Sequence, residues 1–133
     1  MIVGSAMYHG QQPFNGTILQ NSKAEKRETI TADKKQVYVT AATIGKIVDF
    51  GVKDSMNMGA CMAPAAADTI VRHLLDFGIE PTHNDKIITG DLGYVGKDIL
   101  VDLVLQKGYD IGGNHMDCGI EIFDQDKQDT HSG

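Results

Sequence analysis

The stretch KIITGDLGYVGKDIL, Lys86 to Leu100, decides the fold. Ile87, Ile88 and Thr89 are β-branched and read as a short buried strand. Gly90, Gly93 and Gly96 recur at intervals of three around Asp91 and permit a tight turn. A helix then follows over about residues 95–107, with Ile99, Leu103 and Leu100 facing inward, Lys107 in its last turn and Gly108 as its stop. A strand that runs through a glycine elbow directly into a helix is half of a parallel β-α-β unit.

The neighbouring segments continue that rhythm. Upstream, MAPAAADTIVRHLLDFG predicts a helix over about residues 63–77: Pro64 suits a first turn, the alanines are strong helix formers, and Gly78 suits a left-handed stop. Ala66, Ile70, Leu74 and Phe77 form its apolar stripe. Further upstream, QVYVTAATIG alternates as a half-buried strand from Gln36 toward Ile44. Downstream, YDIGG and GIEIFD predict two more short strands. The fold class is therefore α/β, a mixed and partly parallel sheet with two principal helices. Residues 1–35 read as an irregular or mobile N-terminal segment, because Ser22 to Lys35 carries mixed charge and little apolar bulk. Residues 36–124 form the α/β domain, and 125–133 a polar tail.

Composition narrows the functional classes. The 133 residues carry a net charge of −6, which argues against nucleic acid as a partner, since phosphate neutralisation needs clustered Lys and Arg. No run approaches the roughly 20 apolar residues of a membrane-spanning helix. The opening MIVGSAMYHG lacks the pattern of a signal peptide, and the expectation is a non-exported chain. Cys61 and Cys118 are too few for a disulfide framework and are expected as reduced thiols.

Two stretches can carry chemistry. In GDLGYVGKD the nucleotide fingerprints fail: G-x-G-x-x-G is absent, and a Walker loop would need Gly at Asp91 and Ser or Thr at Asp98. What remains is a helix start whose amides can meet an anion, at a strand end where open α/β sheets place ligands. The alternative is a turn with no ligand. The second stretch is GGNHMDCG, with Asn114, His115, Asp117 and Cys118 together. A structural zinc would need about four ligands, so Cys61 and His131 would have to converge on His115 and Cys118. A Cys118–His115 pairing could activate the thiol, or the thiol is an inert buried one. The Met-rich SMNMGACM reads as packing, and His73 and His83 as structural or solvated.

VTAATIGKIVDFGV, MGACMAPAAADTI, ITGDLGYVGKDIL and NHMDCGIEIFD, in unbroken order from Val37 to Asp124, resemble the stage V sporulation protein AD family, as YHGQQP does more loosely. The resemblance implies a thiolase-like fold, here a truncated chain covering mainly the second half. It departs from the family in lacking the half with the nucleophile cysteine and the glycine-rich closing segment, and in the charge of Ser22 to Lys35. It implies a non-catalytic protein held peripherally at the spore inner membrane, otherwise cytoplasmic. Such a protein binds dipicolinic acid for uptake in sporulation and release in germination, alongside other stage V sporulation proteins. In condensing enzymes of this fold a His follows the strand where Asp91 stands, and an anionic Asp cannot stabilise an oxyanion. The expected ligand site is Asp91, Gly93, Gly96, Lys97, Asn114, His115, Asp117 and Cys118, with His115 as a donor. Asp91 and Asp117 would serve as calcium ligands if calcium accompanies dipicolinate; no other cofactor is expected. Self-association or a complementing half is expected. The alternatives are a thiolase-type acyl transferase using Cys118 and His115, and a purely structural assembly component.

Overall fold

A computed structural model describes residues 39–128. Its first helix, α1, spans Met58–Phe77 and starts five residues earlier than Pro64 suggests. The start is set by Asn57, whose side-chain oxygen accepts the amide of Ala60 at 3.2 Å. Pro64 therefore lies inside the helix, where it cannot donate to the Ala60 carbonyl. Much of SMNMGACM is thus helical, with Met62 buried as packing. The other end follows expectation: Gly78 is left-handed at φ 60°, and the Ile79 amide reaches back to the Leu74 carbonyl at 3.0 Å. Ala66, Ile70 and Leu74 are buried as the stripe requires. Phe77 is not: it is 47% exposed, because the core on this helix ends at Leu74, and its ring rests near His73.

A 3₁₀ turn at Pro81–His83 leads to strand β1, Ile87–Thr89, and then to helix α2, Gly93–Leu105. Helix α2 both begins and ends two residues before the predicted bounds. Gly108, at φ 91°, carries the reversal after it, and the Tyr109 amide bonds the Val104 carbonyl at 3.3 Å. Its buried face is Gly96, Leu100 and Val104, with Ile99 and Leu103 half-buried beside them.

Strand β2, His115–Asp117, pairs with β1 in parallel, in the register Ile87 to His115, Ile88 to Met116 and Thr89 to Asp117. The fold is accordingly α/β, a parallel two-stranded sheet with α2 as its crossover, followed by the short helix α3, Cys118–Ile122. The mixed sheet is not formed among the described residues. Tyr109–Gly113 is a turn anchored by buried Ile111, and the segment after Asp117 is helical because the Asp117 side chain caps the Gly119 amide. Of the strand expected over 36–44, residues 36–38 lie outside the described residues, and the segment 39–44 is likewise not a strand, as no strand among the described residues offers it a ladder. It is instead tied to α1 by Thr43 Oγ1 to His73 Nδ1 at 2.8 Å, and followed by the Lys46–Asp68 ion pair at 3.0 Å. The expectations for residues 1–35 and for the last part of the tail lie outside the described residues.

Helices α1 and α2 cover Ile87 and Leu92 and hold one core with Ile70, Leu74, Leu100, Val104 and Ile111. Each such side chain contributes about 1.5–3 kcal/mol on full burial. The helices cross closely: a Cβ at Gly96 would sit 2.8 Å from the backbone of Gly59. That crossing sets how α2 presents its N-terminus at the end of β1.

Candidate functional site

The site lies where β1 and β2 end. Past Thr89 the backbone turns through Asp91 at φ 58° and Gly93 at φ 62°, left-handed conformations that Asp tolerates and Gly accepts freely. Leu92 between them is fully buried and fixes the elbow. Alternation along the two strands puts Ile87 and Thr89, His115 and Asp117 on the buried face.

Asp117 is the hub. Its Oδ1 accepts the Thr89 hydroxyl at 2.6 Å and the Leu92 amide at 3.1 Å. Its Oδ2 accepts the amides of Gly93 at 3.1 Å and Gly119 at 3.2 Å. One carboxylate thus caps the start of α2 and the start of α3 together. The anion that the α2 amides meet is therefore the chain's own, and Asp117 has no oxygen left over for calcium.

His115 is the second buried polar group at this end. Its Nε2 lies 2.9 Å from Thr89 Oγ1, while Nδ1 is buried with no hydrogen-bond partner among the described residues. Burial first, and then the positive charge of Lys97, hold the imidazole below its ordinary 6.5, against the opposing pull of Asp117. Lys97 is half-buried, at the start of the second turn of α2.

The expected site residues divide on this geometry. Asp91, Gly93, Lys97, His115 and Asp117 gather at the strand ends, with Asp91 exposed at the elbow. Gly93 offers its amide to Asp117. Gly96 gives its amide to the Leu92 carbonyl at 3.2 Å and turns its Cα to Gly59, which makes it a residue of the helix crossing. Asn114 is engaged elsewhere: its Nδ2 donates to the carbonyls of Pro81 at 2.9 Å and Asn84 at 3.0 Å, pinning the loop that enters β1. Cys118 is a half-buried free thiol at the start of α3, and Cys61 is exposed and free. Among the described residues no group of three or more His, Cys, Asp or Glu could hold a metal ion. Thr89 and Leu92 escape a reading of the sequence; only the strand alternation that faces Thr89 toward Asp117 hints at the first.

The sequence model of the family described as stage V sporulation protein AD matches residues 21–133. The chain belongs to the stage V sporulation protein AD family. It is 39% identical over 121 residues to stage V sporulation protein AD of Bacillus subtilis (strain 168), covering 91% of this chain. The chain spans about a third of that relative's length, 35%. Membership in the stage V sporulation protein AD family supports a role in sporulation. No helix among the described residues is long and apolar enough to cross a membrane.

Proposed function

We propose that this chain is a non-catalytic, thiolase-like module that forms one side of a dipicolinate pocket. In this reading it acts in dipicolinate uptake during sporulation and release in germination, peripherally at the spore inner membrane and with other stage V sporulation proteins. The observation that carries it is the strand-end cluster of Asp91, Lys97 and His115 in a member of this family. Lys97 offers a cation to one carboxylate of the planar ligand. Asp91 is exposed at the elbow and is the acid that can share a calcium ion with the ligand, since Asp117 is engaged by four donors. What supports the absence of catalysis is that Asp91 stands where condensing enzymes have His, and that His115 Nε2 is engaged by Thr89 and not by Cys118.

Calorimetric titration of the wild type and of Asp91→Asn with dipicolinate, with and without calcium, tests this function. Wild type binds more tightly with calcium. The substitution weakens binding when calcium is present and relieves repulsion when it is absent. Equal responses of the two proteins remove Asp91 from the site, and no binding in either condition removes the dipicolinate reading.

A further inference from the structure

We infer that the His115 end of the site receives a hydrogen-bond donor of the ligand and not a bare carboxylate, so that it selects a ligand with one N–H or O–H beside its anionic group. This rests on the dipicolinate reading for the ligand class and goes beyond it in the polarity of one contact.

Asp117 sets that polarity. Its oxygens accept the amides of Leu92, Gly93 and Gly119, and the remaining acceptor position, on Oδ1, takes the Thr89 hydroxyl proton at 2.6 Å. A hydroxyl has a single proton. Having given it to Asp117, Thr89 Oγ1 can only accept from His115 Nε2, 2.9 Å away. Nε2 therefore carries the ring hydrogen, and in the neutral imidazole Nδ1 presents a lone pair. His115 is only 7% exposed, and Nδ1 has no hydrogen-bond partner among the described residues. A buried acceptor left unmet costs about 1–3 kcal/mol, which a ligand donor removes.

The charged groups that face the ring are Lys97 on α2 and Asp117 on its own strand. Burial and Lys97 both favour the neutral ring, and Asp117 is satisfied by its four donors. Lys97 remains as the contact for the anionic group. A carboxylate oxygen set against Nδ1 would oppose two lone pairs, whereas a primary amide or a protonated carboxyl donates to it.

Two measurements on the full chain at about pH 7.5 test this. Nitrogen-15 NMR of the ligand-free protein is expected to show the His115 ring with hydrogen on Nε2 and none on Nδ1; the opposite tautomer or an imidazolium overturns the inference. Dipicolinate and its monoamide, 6-carbamoylpyridine-2-carboxylate, are then titrated side by side without calcium. The monoamide is expected to bind about tenfold more tightly, a difference of about 1.4 kcal/mol. Its binding should shift the Nδ1 resonance, and His115→Phe should abolish the preference. Should that variant fail to fold, the wild-type resonance decides: no shift on binding overturns the inference. Dipicolinate binding as tightly as the monoamide overturns the donor requirement and leaves the proposed function standing. Binding of neither compound overturns the inference, and it overturns the proposed function as well when dipicolinate also fails to bind with calcium present.

Discussion

Asp117 bonds three backbone amides and one hydroxyl while only 1% exposed, so its removal acts on two helix starts at once. Hydrogen bonds to a charged group are each worth about 1.5–3 kcal/mol, and a lost helix cap about 1. Allowing for water entering the gap, Asp117→Ala should cost about 3–4 kcal/mol in urea denaturation; an unchanged midpoint would remove the hub role. The buried histidines give stability a pH dependence. Both His115 and His73 sit below their ordinary 6.5 in the folded protein, chiefly through burial. The folded state therefore binds fewer protons than the unfolded one, so this stability is present above about pH 6.5 and is lost as pH falls toward the lowered values. Urea midpoints should drop between about pH 7.5 and 5.5, and drop less in His115→Asn; a flat profile over that range contradicts the burial account. The sequence flags His115 and Asp117 as chemically rich, yet it presents both as ligand contacts. Composition places a carboxylate near a helix start, but only the register of β2 against β1 shows that it is the start of α2 that Asp117 caps.

Elements were legible where periodicity and stops agreed. Both helices were readable because 3.6-residue spacing runs for several turns and Gly78 and Gly108 end them with left-handed backbone. Of the strands, β1 was readable from its β-branched run Ile87–Thr89, whereas β2 was not, since three residues carry almost no periodicity. Pairing with β1 rather than apolar content selects His115–Asp117 over the more apolar flanks. The same limit explains Gly96, which reads as a turn or ligand glycine but serves the contact of α2 with α1. In Gly96→Ala the new methyl would meet the Gly59 Cα, oxygen and carbonyl carbon at 2.8–2.9 Å, all backbone, so the helices must separate. Helix propensity alone favours Ala by about 1 kcal/mol. Overpacking at a rigid contact costs about 1–3 kcal/mol, and the helix displacement adds to it. A net loss of about 1–2 kcal/mol in thermal or urea unfolding is expected, and a stabilised variant would mean that the crossing is looser than the backbone distances show.

At the scale of the molecule, the segment before α1 leaves apolar side chains uncovered. Ile44 is 86% exposed, Ile47 64% and Phe50 66%, on a stretch with no regular structure of its own between residues 39 and 54, and Met56 is 56% exposed in the turn that follows. Thr43 on His73, Lys46 on Asp68 and Gly45 against Thr69 attach this segment to α1 through polar or small groups. Surface ion pairs of this kind contribute about 0–1 kcal/mol, so the segment is held weakly while it presents apolar area to water. Exposed apolar side chains favour association, and a segment that presents several of them beside a small core should self-associate or take up a complementing polypeptide. Sedimentation velocity across a range of concentrations should therefore show mass above the monomer that grows with concentration, and a melting temperature that rises with it. The double variant Ile47→Ser, Phe50→Ser changes only exposed side chains, so it should shift the protein toward monomer while moving the low-concentration melting temperature little. A monomer at every concentration in the wild type removes the association, and a double variant that associates as strongly as the wild type moves the sticking surface away from this segment.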